Sequence, residues 1–124
     1  MISVYHLSSI DRDDWRYDAI HFPRIAAAPP ELGDVKDVQA LAVNLLIAEG
    51  YYEHVADVST YDLETAWGLT NSVAQAWRDK VDRRLKVIPD TSRRSTSVGD
   101  IMISEDGVVL VAPVGYERVK GPLA

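Results

Sequence analysis

No cysteine occurs among the 124 residues of the sequence. Disulfide bonds, thiolate metal sites and cysteine nucleophiles are therefore excluded, and this composition fits a reducing compartment. Long hydrophobic runs are also missing, because the longest mostly apolar stretch, residues 40–48, is interrupted by Asn44 and is too short to span a bilayer. The first residues lack the basic segment and apolar run of a signal peptide. We therefore expect a cytoplasmic protein without a membrane segment.

Familiar catalytic and metal-binding motifs are missing as well. The sequence has no phosphate-binding glycine loop, nucleophile elbow or metalloprotease motif. Its histidines, His6, His21 and His54, have no metal-ligand spacing. His6 and His54 fall on predicted strands and would be neighbours if those strands pair. We expect no metal, no cofactor and no catalytic residue.

An acidic cluster near the start of the chain contains Asp11, Asp13 and Asp14. It lacks the glycine and the later glutamate of a calcium-binding loop. The cluster therefore indicates solvated surface or a helix cap.

Charge is distributed unevenly along the chain, whose net charge is −6. Residues 1–77 hold twelve acidic and four basic residues, whereas residues 78–94 hold seven basic and three acidic ones. Such asymmetry can steer a charged partner, or it can reflect a solvated linker beside an acidic surface. Because Pro89 interrupts the charged stretch, we expect a mobile basic loop over residues 78–92.

The length and the order of elements predict one domain over residues 1–124 with an α+β fold. Alternating residues predict strands over 2–7 and 51–58, with Tyr52, His54, Ala56 and Val58 on one face of the second. The Asp106–Gly107 pair lies between two β-forming runs and predicts a hairpin, followed by a third strand over 114–119. The expected order is β-loop-α-β-α-loop-β-β-β, a small, mostly antiparallel sheet with two helices packed on one face.

Two helices are predicted from apolar spacing. The first begins at Asp34, a helix cap, and ends at Gly50; an exposed face on it would indicate a homodimer. The second is capped by Ser59 or Thr60 and ends at Asn71; Trp67 faces inward, and close packing against a neighbour would explain Gly68 in its interior. Residues 8–33 show no sustained period and predict a loop with a helical turn near 11–17.

The most distinctive stretch is a polar loop that runs into a short apolar strand. Its residues are Arg94, Ser95, Thr96, Ser97, Gly99 and Asp100. Arg94 can donate two hydrogen bonds to a phosphate or carboxylate, and the hydroxyls and backbone amides beside it can complete an anion site. Alternatively, Ser97 and Asp100 cap a turn and fix how the strand enters the sheet, which leaves Arg94 in need of a partner.

The Arg-Ser-x-Ser-Val-Gly-Asp string, together with Asp106–Gly107 and residues 115–117, resembles the closing segment of small bacterial and phage proteins. It is similar to the YodL-like domain of polyvalent proteins on phages and conjugative plasmids, over roughly residues 51–119. This chain departs from that pattern in residues 78–92 and in its first fifty residues. The resemblance implies an accessory protein of a mobile element or its bacterial host.

Three functional hypotheses follow. The first is a non-enzymatic module that binds a host- or element-encoded protein through its acidic face or the 94–100 loop. The second is a nucleic-acid binder whose basic residues contact phosphates while an indole stacks on a base, using Trp77, Arg83, Arg84, Lys86 and Arg93. The third is a small enzyme that acts on a nucleotide or phosphorylated substrate at the same loop, which a deep pocket holding Arg94 and a histidine would favour.

Overall fold

The computed structural model describes residues 1–22, 35–72 and 75–119. In chain order its elements are β1 (Ile2–Leu7), α1 (Trp15–His21), α2 (Val35–Ala48), β2 (Tyr52–Val58), α3 (Leu63–Leu69), a 3₁₀ turn (Trp77–Asp79), β3 (Leu85–Val87), β4 (Ile101–Ser104), β5 (Gly107–Val111) and β6 (Tyr116–Val119). Within the described ranges these strands form one six-stranded antiparallel sheet in the order β3-β2-β1-β4-β5-β6. The α+β fold class is confirmed.

Strand β1 lies inside the sheet, between β2 and β4. Its side chains alternate as predicted, with Ile2, Val4 and His6 buried toward one face and Tyr5 and Leu7 packed on the other. The predicted hairpin is present as β4 and β5, where Ser104 pairs with Gly107, and β6 adds the predicted third strand.

Each face of the sheet has its own core. Helices α1 and α2 cover one face of the sheet, where Ile20 of α1 and Leu46 of α2 share a core with Ile101 of β4. Helix α3 covers the opposite face, where Ala66 packs with Val4 and Met102. Two helices do share one face, but they are α1 and α2 rather than α2 and α3. The reason is visible in β4, whose consecutive apolar residues Ile101, Met102 and Ile103 point to both faces and require cover on both.

A β-bulge in β2 changes which residues share a face. Val4 pairs with Ala56 while the next residue, Tyr5, pairs with His54, so Val55 is the extra residue. Tyr52 and His54 therefore lie on the face of α1 and α2, whereas Ala56 lies on the α3 face. The prediction of one common face for β2 is wrong. For the same reason His6 and His54 are not neighbours; the His54 ring stacks on Tyr5 at 4.8 Å.

The basic segment 78–92 contains a short strand, β3, which the sequence does not predict. Strand β3 pairs with β2 at the edge of the sheet, with Leu85 opposite Val58. The guanidinium of Arg78 donates to Thr91 Oγ1 at 2.7 Å and to the Ile88 carbonyl at 3.1 Å, which ties the segment back on itself. A three-residue edge strand has too few apolar positions to show a period among charged neighbours. The mobility of this segment stays a prediction.

The helices differ from expectation at their ends. The first helical segment is α1, which starts later than the predicted turn and is capped by Asp14, whose carboxylate accepts from the Arg16 amide at 3.0 Å. Gly50 follows α2 with φ of +80°, as a helix terminator should. The expected cap of α2, Asp34, and residues 23–33 lie outside the described residues.

Candidate functional site

The loop over residues 94–100, called the motif loop below, is organised by an ion pair within itself. Arg94 Nη2 lies 2.6 Å from Asp100 Oδ1, and Arg94 Nη1 lies 2.6 Å from Asp100 Oδ2. The Asp100 side chain is fully buried, whereas that of Arg94 is 41% exposed. We call this bidentate pair the clamp.

The clamp holds the last residue of β1. The Leu7 amide donates to Asp100 Oδ1 at 2.8 Å, and Arg94 Nη2 donates to the Leu7 carbonyl at 2.9 Å. The Ser97 amide donates to Asp100 Oδ2 at 2.7 Å. A buried carboxylate with two backbone donors and a bidentate guanidinium has its lone pairs well satisfied. Asp100 in turn raises the pKa of Arg94.

The partner that Arg94 needed is therefore Asp100. The remaining bonds of its terminal nitrogens go to the Ser97 hydroxyl at 3.1 Å and the Ser95 carbonyl at 3.0 Å. Backbone amides of the loop are also occupied, since Gly99 donates to the Val111 carbonyl at 2.9 Å. The motif loop is thus a turn whose charged groups and several of whose backbone amides bind one another or the adjoining strands. That an external ligand or partner contacts it stays a prediction.

Gly99 has φ of +97° and sits against β1 and α1. A Cβ atom at this position would lie 3.2 Å from Leu7 Cδ2 and 3.4 Å from Ile20 Cγ2. Its carbonyl accepts from the Tyr52 hydroxyl at 2.7 Å, and burial raises the pKa of that phenol. Both backbone conformation and space therefore require glycine here.

Behind the loop, His6 is buried in a hydrogen-bonded chain. Its Nε2 lies 3.0 Å from Thr96 Oγ1, which donates to Thr70 Oγ1 at 2.7 Å; Thr70 donates to the Ala66 carbonyl at 2.9 Å. Because the Thr96 proton is committed to Thr70, Thr96 accepts from His6, which places the ring proton on Nε2. His6 Nδ1 then accepts from the Ser92 hydroxyl at 3.1 Å. Burial lowers the pKa of His6 to about 4, so the ring is neutral at pH 7.

Ser92, His6 and Asp100 lie in the order of a catalytic triad, but their geometry is structural. The Asp100 carboxylate is 3.8 Å from His6 Nε2, beyond hydrogen-bond distance, and Thr96 occupies that nitrogen. The His6 side chain is 1% exposed. A buried, neutral ring with both nitrogens engaged is a poor general base.

The residues predicted to bind nucleic acid are Trp77 and four basic residues, and the structure leaves only some of them available to a ligand. Trp77 is fully buried and its Nε1 donates to the Arg94 carbonyl at 2.7 Å, so its indole is not available to stack on a base. That part of the prediction is corrected. Arg84 is paired with Asp82 at 2.9 Å. Arg83, Lys86 and Arg93 are exposed, and their side chains have no hydrogen bond or ion pair within the described ranges.

A cleft of about 320 Å³ adjoins the outer side of the clamp. It lies between the chain that follows β1, helix α1 and the motif loop, and we call it the motif cleft. Its lining residues are Leu7, Ser8, Ser9, Ile10, Arg12, Tyr17, His21, Arg94, Ser97 and Val98. The structure thus places Arg94 and Ser97 beside Arg12, Tyr17 and His21. The aperiodic sequence of residues 8–22 gave no signal for the latter three.

A second concave surface lies on the opposite face of the sheet, between α3 and the β5–β6 connection. This groove of about 280 Å³ is lined by Glu64, Trp67, Val111, Ala112, Gly115 and Tyr116, and we call it the Trp67 groove. Trp67 is 37% exposed rather than facing inward. Tyr61 precedes α3 in the chain, Val114 lies in the β5–β6 connection, and both are almost fully exposed. Burial and the adjacent Glu64 raise the pKa of Tyr116 to about 12, so its hydroxyl stays protonated.

The acidic face is formed by Asp11, Asp13, Asp14 and Glu49, and most of these residues bind neighbouring groups of the protein. Arg16 binds Asp14 at 2.7 Å and also pairs with Glu49, while Asp11 accepts from the Asp13 amide at 2.9 Å. These residues and Leu45 line a wide, open cleft of about 670 Å³. Asp14 is a helix cap, as one of the two sequence interpretations predicted.

Comparison with protein-family models, with curated proteins and with solved structures gives no match to this chain. The resemblance of residues 51–119 to the YodL-like domain therefore stays a prediction, as does a cytoplasmic location. No helix in the described part of the chain is long and apolar enough to cross a membrane. Across residues 1–22, 35–72 and 75–119, histidine, aspartate and glutamate form no group of three that could hold a metal ion.

Proposed function

We propose that this protein is a non-enzymatic protein-binding module that contacts its partner through the Trp67 groove. The resemblance of residues 51–119 supports an accessory role for a phage, plasmid or bacterial host, with a host- or element-encoded protein as partner. The observation that carries the proposal is the exposure of Trp67 on a helix whose neighbouring residue, Ala66, is fully buried.

A partly exposed tryptophan that lines a groove favours a binding surface. Keeping an indole in water forgoes the free energy of burying it, and tryptophan and tyrosine are enriched among residues that dominate binding energy. Trp67 lines a groove together with the apolar residues Val111 and Ala112, whereas exposed apolar residues scattered singly need no explanation. The motif loop lacks this property because its polar groups bind one another.

The charge around the groove favours a basic partner segment. Glu64 lines the groove, and Asp62 caps α3 at its rim. The whole chain carries a net charge of −6. A segment with one apolar anchor flanked by lysine or arginine would fill the groove and complement its charge.

The test compares two substitutions of equally exposed side chains on opposite faces. Trp67→Ala removes the anchor of the groove, and Leu45→Ala removes a side chain that is likewise 37% exposed, on α2 beside the acidic face. Each variant is first shown to be folded by circular dichroism. Partners are then captured from host lysate, with and without nuclease, and a displayed library of random peptides is selected against wild-type protein.

We expect a nuclease-resistant partner that Trp67→Ala loses and Leu45→Ala retains, and selected peptides that combine an apolar residue with basic flanks. Loss in Leu45→Ala alone would place the contact on the acidic face and overturn the groove. Capture that disappears with nuclease would instead indicate nucleic-acid binding through the exposed cations Arg83, Lys86 and Arg93.

A further inference from the structure

The motif cleft holds several hydrogen-bond donors that the fold itself does not use. The Arg12 guanidinium and the hydroxyls of Ser8, Ser9 and Tyr17 make no side-chain hydrogen bond within the described residues. Arg12 is exposed and has no acidic partner there. A folded protein tolerates unused surface donors individually, but their convergence on one concavity is typical of a ligand site.

The Arg94–Asp100 clamp determines which hydrogen-bond donors and charges the motif loop presents to the cleft. Ser97 Oγ accepts from Arg94 Nη1 at 3.1 Å, so the Ser97 proton points away from Arg94 and is available to a ligand. Asp100 offsets the charge of Arg94, and its carboxylate is fully buried behind the guanidinium. The surface of the cleft therefore presents a second cation, Arg12, which has no ion pair within the described residues, together with hydroxyl donors.

We infer that the motif cleft binds a phosphomonoester. A phosphate group offers three terminal oxygens, which can receive the Arg12 fork and the hydroxyls of Ser8, Ser9 and Ser97 together. A carboxylate, with two oxygens, would leave part of this donor set unused. The apolar side chains Leu7, Ile10 and Val98 would contact the organic group that carries the phosphate.

His21 adds a dependence on pH to this site. Its ring is half-buried, 4.3 Å from the Tyr17 ring, and burial lowers its pKa while Asp100 and Asp18 act in the opposite direction. A bound phosphate would favour the protonated ring. Binding of a phosphate should therefore raise the pKa of His21 above its lowered value in the free protein.

The test is a titration of ¹⁵N-labelled protein followed by ¹H–¹⁵N NMR. The ligands are inorganic phosphate, phenyl phosphate and a phosphoserine peptide, so that free and protein-borne phosphates are compared. Arg12→Gln removes the cleft cation, and Arg93→Gln is the matched control, because Arg93 is also exposed and lies outside the cleft.

We expect saturable shifts at Ser8, Ser9, Arg12 and Ser97, weakened about tenfold or more by Arg12→Gln and unchanged by Arg93→Gln. If the phosphoserine peptide binds more tightly than phenyl phosphate, the natural ligand is a phosphate carried by a protein. If phenyl phosphate binds as tightly as the peptide, the natural ligand is a small molecule. Equal weakening in both variants, or shifts that avoid the cleft, would overturn the inference. Because the cleft and the Trp67 groove lie on opposite faces of the sheet, this outcome is independent of partner capture at the groove.

Discussion

Arg94 and Asp100 hydrogen-bond each other and both polar backbone groups of Leu7, so one ion pair closes the end of an interior strand of the sheet. Breaking such a pair leaves a buried carboxylate without its counter-charge, which is more destabilising than losing a surface salt bridge.

Removing the acidic half of the clamp should destabilise the protein strongly. We expect Asp100→Ala to lower the free energy of unfolding by about 2–4 kcal/mol, because the Leu7 and Ser97 amides and Arg94 lose their common acceptor. Urea denaturation measures the loss. Glu105→Ala, in the exposed turn of the β4–β5 hairpin, serves as control and should change stability by less than about 0.5 kcal/mol. Similar losses for both substitutions would show that the clamp contributes little.

Stability should decrease on mild acidification because of His6. Its pKa is about 4 in the folded protein and about 6.5 when unfolded, so the unfolded chain binds more protons between these values and stability falls as the pH falls. From pH 7 to pH 5 this contribution amounts to about 2 kcal/mol. Urea denaturation at both pH values should show a smaller pH dependence for His6→Asn than for wild type. An identical dependence in the two proteins would refute the assignment to His6.

Gly99→Ala should cost more than a glycine substitution at another turn with positive φ. Gly107 has φ of +115° but open space around its Cβ position, whereas a Cβ at Gly99 would press on Leu7 and Ile20. Both variants incur backbone strain of about 1–3 kcal/mol, and only Gly99→Ala adds a steric cost. Thermal denaturation of the two variants tests this difference. The packing argument fails if Gly107→Ala is the more damaging substitution.

Gly68→Ala should stabilise the protein. The sequence suggested that this glycine permits close packing in α3, but nothing lies within 4 Å of its Cβ position. Alanine is favoured over glycine inside a helix by about 1 kcal/mol. The hydrogen bond from Lys80 Nζ goes to the backbone carbonyl of residue 68, so alanine at this position would keep it. An increase of several degrees in Tm is expected. A decrease would indicate a role for this glycine that the packing does not show.

The parts of the fold that sequence could predict are those set by local pattern. The alternation of β1, the apolar helix α2 and the Asp106–Gly107 hairpin are each readable within about ten residues. The bulge at Val55 and the short strand β3 depend on pairing with distant residues, which no local period records. The sequence alone therefore does not predict the bulge or strand β3.

The candidate site shows the same division. The sequence of the loop singles out Arg94 and Asp100 and predicts either a ligand site or a structural turn. That they bind each other depends on how residues 95–99 fold back. The cleft depends on Arg12 and His21, which lie in aperiodic sequence and reach the loop only through tertiary packing. Trp77, expected at the surface, is buried because an indole of that size fills the core beneath the loop.

The interior position of β1 has a consequence for biosynthesis. One of its neighbours, β2, is synthesised some fifty residues later, and the other, β4, comes only with residues 101–104. The clamp on Leu7 likewise waits for Arg94 and Asp100. The nascent chain must therefore carry Ile2, Val4 and His6 unburied until most of the sheet has left the ribosome.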